Sequence, residues 1–103
     1  MSIIFGDKIR KLREAKQIPQ RQLAAVLDID TATYCKIEKG DRRAKREQVK
    51  ILADFLEFSS SDLLCLWSAD KIFEIIAEDE EAPQILTLVA DSINKYKQKT
   101  SKI

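Results

Sequence analysis

Between Pro19 and Gly40 the chain has room for two short helices and one tight corner. Proline has a fixed φ and no amide proton, so it sits without cost where a first helical turn leaves its N–H groups unpaired. Glycine adopts positive φ freely and so stops a helix. Within these limits Leu23, Ala24 and Leu27 predict the apolar face of a helix over about 20–27. Asp28-Ile29-Asp30 predicts a tight connection in which Asp28 takes a left-handed conformation and Asp30 caps the next helix, accepting from the amide of Ala32 or Thr33. That helix covers about 31–39 and ends at Gly40.

The flanking sequence is also helical in pattern. Ser2 is placed to cap a first helix in which Phe5, Ile9 and Leu12 share a face, running to about Lys16. Val49, Leu52, Ala53 and Leu56 mark a fourth helix, and Ser60-Ser61-Asp62 open a short fifth one carrying Leu63, Leu64 and Trp67. Ser68 and Asp70 suit the start of a sixth helix bearing Ile72, Phe73, Ile75 and Ile76, closed by the acidic run Glu78-Asp79-Glu80-Glu81. Pro83 begins a seventh with Ile85, Leu86, Leu88, Val89 and Ile93 apolar, and a polar tail starts at about residue 95. With 103 residues, 45% of them apolar, and only two Gly and two Pro, the expected fold class is all-α with a single core.

The charge is unevenly spread. Residues 1–50 carry 13 Lys/Arg against 7 Asp/Glu, and residues 51–103 carry 5 against 10, so a net +6 half precedes a net −5 half. A polyanion is drawn to the first and repelled by the second. Histidine is absent, which removes the Ser-His and Cys-His nucleophile pairs and the commonest general base. The expectation is a protein that is not an enzyme. Cys35 and Cys65 lack metal-ligand spacing and read as free thiols, Cys35 as a small space-filler, so no metal or cofactor is expected. Without a long apolar run or a leader-like N-terminus, no membrane partner is expected and the location is cytoplasmic.

Two short helices joined by three or four residues, the second capped at its start and closed by Gly, have the geometry of a DNA-reading helix-turn-helix. The stretch from Gln20 to Gly40, QRQLAAVLDIDTATYCKIEKG, resembles the helix-turn-helix of the phage repressor and Cro family, also called the xenobiotic-response-element family. Its most telling elements are Gln20, the Leu23-Ala24 pair and Ile37-Glu38-Lys39-Gly40 at their mutual spacing, within a similarity that extends from about Phe5 to Trp67. The resemblance implies a five-helix DNA-binding domain over 1–67, followed by a C-terminal helical extension over 68–103. It also implies that the third helix enters the major groove.

Once Ile37 and the apolar part of Tyr34 turn inward, Thr31, Ala32, Thr33 and Lys36 face outward as candidate base readers. The hydroxyls exchange hydrogen bonds with base edges, Ala32 meets a thymine methyl, and Lys36 donates to guanine O6 and N7. The resemblance assigns Gln20 to a phosphate, and Arg13 with Glu38 to an ion pair tying the first helix to the third. Lys39, Arg42, Arg43, Lys45 and Arg46 place five cations in eight positions just after the reading helix, where the DNA backbone passes. Three residues depart from the family pattern: Asp28 where Gly is usual, Tyr34 where an aliphatic residue is usual, and Lys45 where a capping Ser or Thr is common. Tyr34 either shifts the third helix or sends its hydroxyl to a phosphate.

The family core needs only five helices, so the apolar faces of the two further segments either fold back on that core or meet a second copy; the second is the reading for the seventh helix, with Ile85, Leu86, Leu88, Val89 and Ile93 as a candidate dimerisation face. A single reading helix touches few bases, whereas a two-fold homodimer doubles the contacts and fits a palindromic operator. The expected partners are double-stranded DNA and a second copy of the chain. RNA polymerase is a further partner of a bound regulator, and a toxin protein is the partner under the alternative of an antitoxin or interaction adaptor.

Overall fold

The computed structural model describes residues 3–100 and consists of six helices in that span. They are α1 (Ile4–Ala15), α2 (Gln20–Val26), α3 (Thr31–Lys39), α4 (Arg46–Phe55), α5 (Ser60–Ile76) and α6 (Ala82–Thr100). The first five surround one core, in which α1 packs on α3 and α5, α2 on α3 and α4, and α4 on α5. Ile9, Leu23, Tyr34, Ile37, Val49, Leu52, Leu56 and Leu63 are its largest fully buried side chains. Burial of each aliphatic member contributes about 2 kcal/mol. These are the stripes that helical periodicity picked out.

The corners repeat one device. Ile18, Ile29, Asp41 and Phe58 each donate their backbone N–H to a carbonyl five residues back, on Arg13, Ala24, Lys36 and Ala53. The residue before each of them has positive φ: Gln17 at 57°, Asp28 at 58°, Gly40 at 82° and Glu57 at 58°. This turn satisfies the last helical carbonyls and folds the following side chain back on the helix. Ile18, Ile29 and Phe58 accordingly pack against the core. The expected left-handed Asp28 and the Gly40 stop are both present, while Gln17 and Glu57 do the same work without the usual glycine.

Two features of α5 differ from the sequence expectation. No break occurs at Ser68: residues 60–76 form one helix, because neither Pro nor Gly interrupts them and Leu63, Leu66, Trp67 and Asp70 keep helical spacing toward the core. Asp70 therefore does not open a sixth helix. It caps α1 instead, its Oδ1 accepting from Ile4 N–H at 2.9 Å and its Oδ2 from Phe5 N–H at 3.0 Å. The helix begins after Ile3, which supplies no side-chain cap, and the capping assigned to Ser2 lies outside the described residues.

α6 makes no extensive contact with any other described helix. The radius of gyration, 16.1 Å, exceeds the roughly 13 Å of a compact domain of this length, as a projecting helix requires. The helix also continues through Lys95 and Lys97 to Thr100, past the point where a polar tail was expected. No described helix is long and apolar enough to cross a membrane.

Candidate nucleic-acid interface

Helix α3 is held at both ends. Asp30 accepts from the Thr33 amide at 2.6 Å, and that hydrogen bond holds its carboxyl below the usual aspartate value. Gly40 closes the other end with its N–H directed to the Ile37 carbonyl. Tyr34, Ile37 and Glu38 are buried on the inner face, which leaves Thr31, Ala32 and Lys36 exposed and Thr33 half-buried on the outer one. The four candidate base readers thus lie together on the free side of α3.

The inner face is fastened by charge. Arg13 forms a two-pronged pair with Glu38, Nε to Oε2 at 2.7 Å and Nη2 to Oε1 at 3.1 Å, and its Nη1 donates to the Ile18 carbonyl at 2.9 Å. Both side chains are withdrawn from solvent, 12% of Arg13 and 2% of Glu38 remaining exposed. Burial opposes the charge on Glu38, but the hydrogen bonds it accepts, foremost from Arg13, outweigh it and hold the carboxyl below its ordinary value. The pair joins α1 to α3, as the resemblance implied.

Gln20 belongs to the same network. Its amide donates to Glu38 Oε1 at 3.1 Å and accepts from the Cys35 thiol at 3.0 Å. An amide nitrogen carries two hydrogens, so the second is left for another acceptor at the start of α2. Tyr34 does not reach the DNA side: it is fully buried, and its hydroxyl has no hydrogen-bond partner among the described residues. Burial, reinforced by the nearby Glu38 carboxylate, pushes the phenol well above its ordinary value. The phosphate contact considered for this hydroxyl is therefore excluded, because the ring fills the core from the inner face of α3.

The basic segment after α3 is built on α5. Lys39, Arg42, Arg43, Lys45 and Arg46 are all exposed, while Ala44 between them is buried. The Arg43 guanidinium lies over the Trp67 ring at 3.9 Å and donates to the Trp67 carbonyl at 3.0 Å. Trp67 Nε1 in turn donates to the Ala44 carbonyl at 2.8 Å. An indole both stacks a guanidinium and donates from its edge, so one side chain pins the loop at two points. Lys45 has no acceptor with which to cap α4, and Gln48 replaces it by accepting from the Lys45 N–H at 2.8 Å.

Sequence reasoning missed Trp67 and Asp70 as organisers of this face. The signal was their three-residue separation, which puts them on one side of α5 once the segment is read as unbroken. It also missed Gly6, where an added Cβ would come within 2.3 Å of the Glu38 carbonyl oxygen; only glycine lets α1 approach the end of α3 so closely. Away from this face, Ile72, Phe73 and Ile75 of α5 and Leu86, Leu88, Val89, Ile93 and Tyr96 of α6 are exposed, and Ile85 is partly so.

A capped, outward-facing α3 after a short α2, bordered by cations on a five-helix scaffold, defines a DNA-binding helix-turn-helix protein. The helix-turn-helix family profile matches residues 9–63, and the chain belongs to the phage repressor and Cro-type branch of that family of transcriptional regulators. It is 27% identical to the cryptic phage CTXphi transcriptional repressor RstR of Vibrio cholerae over 94 residues, 84% of each chain. It is 33% identical to the control protein C.MunI of a Mycoplasma species over 61% of this chain and 86% of that one. It is 38% identical to the uncharacterised regulator RghRB of Bacillus subtilis over 58% of this chain, a match that spans 44% of that protein. No solved structure gives a significant match.

Proposed function

We propose that this regulator binds a palindromic operator as a homodimer and controls transcription from the adjacent promoter. Thr31, Ala32, Thr33 and Lys36 read base edges in the major groove. Gln20, Lys39, Arg42, Arg43, Lys45 and Arg46 hold the phosphates. The reading rests on one observation, the exposure of the first turns of α3 while Tyr34, Ile37 and Glu38 anchor its back. The names of two relatives, a phage repressor and a control protein, point toward regulation of this kind.

One α3 reads too few base pairs for tight specific binding, and two copies related by a two-fold axis read half-sites about one DNA turn apart or a multiple of it. The exposed apolar positions of α6, with Ile85, Leu86, Leu88, Val89 and Ile93 among them, supply a face for that association. The acidic residues after α5 then lie away from the DNA and help orient the dimer by repulsion.

Selection of bound sequences from random duplexes at two salt concentrations tests the proposal. Recovery of a palindrome, with affinity falling steeply as salt rises, is the expected result. Equal recovery of all sequences contradicts it. A second reading, an antitoxin or adaptor whose C-terminal helices grip a different protein, draws on the same exposed face of α6. Sedimentation separates the two, since a chain that stays monomeric at micromolar concentration, alone and on DNA, contradicts self-association.

A further inference from the structure

The apolar face of α6 carries enough pattern to define how a second copy sits on it. Ala82, Ile85, Val89, Ser92 and Tyr96 follow one another at steps of three and four, the repeat of a helix–helix seam. Leu86, Leu88 and Ile93 widen that seam, and Leu88, Val89, Ser92, Ile93 and Tyr96 line a shallow groove along it. At about 1.5 Å per residue, the helix offers nearly 30 Å of contact length. No extensive helix–helix contact among the described residues involves it.

The two ends of this face differ in charge. Glu78, Asp79, Glu80 and Glu81, all exposed, precede α6, whereas exposed Lys95 and Lys97 border the opposite end of the seam. At 100° per residue the two lysines fall on either flank of the apolar arc. Parallel pairing sets carboxylates against carboxylates and ammonium groups against ammonium groups, and antiparallel pairing sets each against the other.

We propose that, in the homodimer on which this inference rests, α6 packs antiparallel against the partner's α6 with Val89 at the two-fold axis. In that register Ile93 opposes Ile85, the large Tyr96 covers the small Ala82, and Lys95, on the same flank of the seam as Glu81, comes beside the partner's Glu81. The two apolar seams close on each other while opposite charges meet at both rims. Charge pairs of this kind select orientation more than they add affinity.

The test uses the full chain with Cys35→Ser and Cys65→Ser as background. A copy carrying Glu81→Cys is mixed with one carrying Lys95→Cys and treated with a short bismaleimide. Antiparallel packing gives a cross-linked pair from the mixture and little from either variant alone. Self-linking of each variant alone overturns the proposal in favour of parallel packing. Separately, Val89→Glu brings two carboxylates together at the axis and is expected to weaken dimerisation at least about a hundredfold, with the thermal midpoint of the five-helix core unchanged. A Val89→Glu chain that still dimerises, or a dimer that gives no cross-link in any combination, overturns the register while leaving the homodimer intact. If the unsubstituted chain is monomeric even on DNA, the homodimer reading itself falls, and with it the register.

Discussion

Asp70 accepts the backbone N–H of Phe5 at 3.0 Å across 65 residues of sequence, so the start of α1 is capped by a side chain of α5. The same carboxylate takes the Ile4 N–H, and Ile3, at the start of the helix, supplies no side-chain cap. The first and last helices of the domain thereby close on each other. Three residues earlier on α5, Trp67 holds the basic loop, so one helix positions both the start of α1 and the exposed cations that follow α3.

Asp70→Ala leaves two orphaned amides at the start of a helix and is expected to cost about 1–2 kcal/mol, or roughly 4–16 °C in Tm. Asp70→Asn keeps one acceptor and falls between. Calorimetry on the three proteins checks the order; equal midpoints for all three contradict the capping role.

The Arg13–Glu38 pair predicts an asymmetric loss. Arg13→Ala strands the more deeply buried carboxylate and is expected to cost about 3–5 kcal/mol, more than Glu38→Gln, which leaves a neutral acceptor opposite the guanidinium. A lowered carboxyl value has a defined sign: its stabilisation is complete above the ordinary value of 4.5 and is lost as pH falls through the depressed one. Denaturation curves should show the wild-type advantage over Glu38→Gln shrinking below about pH 4.5. An advantage that grows on acidification contradicts the assignment.

Tyr34 places in the core a hydroxyl that has no hydrogen-bond partner among the described residues. Tyr34→Phe removes that oxygen while keeping the ring, and the expected change is between neutral and a gain of about 1 kcal/mol, because no hydrogen bond is lost and one desolvated group is relieved. A large loss in urea midpoint would show that the hydroxyl has a partner after all.

Gln17 holds φ 57° at the end of α1. For a residue with a Cβ that conformation costs about 1 kcal/mol, so Gln17→Gly is expected to stabilise the fold by somewhat less, the glycine also loosening the unfolded chain. Thermal melts decide the sign.

In the proposed DNA complex, Lys36 and Arg42 separate base reading from backbone contact. Lys36→Ala is expected to relax preference at one position per half-site by about 1–3 kcal/mol, while Arg42→Ala weakens all duplexes alike and lowers the salt slope by about one. Arg42 is a cleaner choice than Arg43, whose stacking on Trp67 means that its removal also frees the loop. A uniform loss for Lys36→Ala reassigns it to a phosphate.

Local signals carried much of this structure. The apolar stripes, Asp30 as cap, Asp28 in a left-handed conformation and Gly40 as stop depend on a few neighbouring residues, and backbone chemistry acts over that range. The family motif added the Arg13–Glu38 tie, which joins residues 25 apart. Tertiary packing decided the rest. Whether residues 60–76 make one helix or two, where Asp70 sends its carboxylate, and that Gly6 must be small all follow from which helices lie side by side. A single-chain pattern does not encode those distances, because the same side chain can cap its own helix or a distant one, and only the assembled core selects between them.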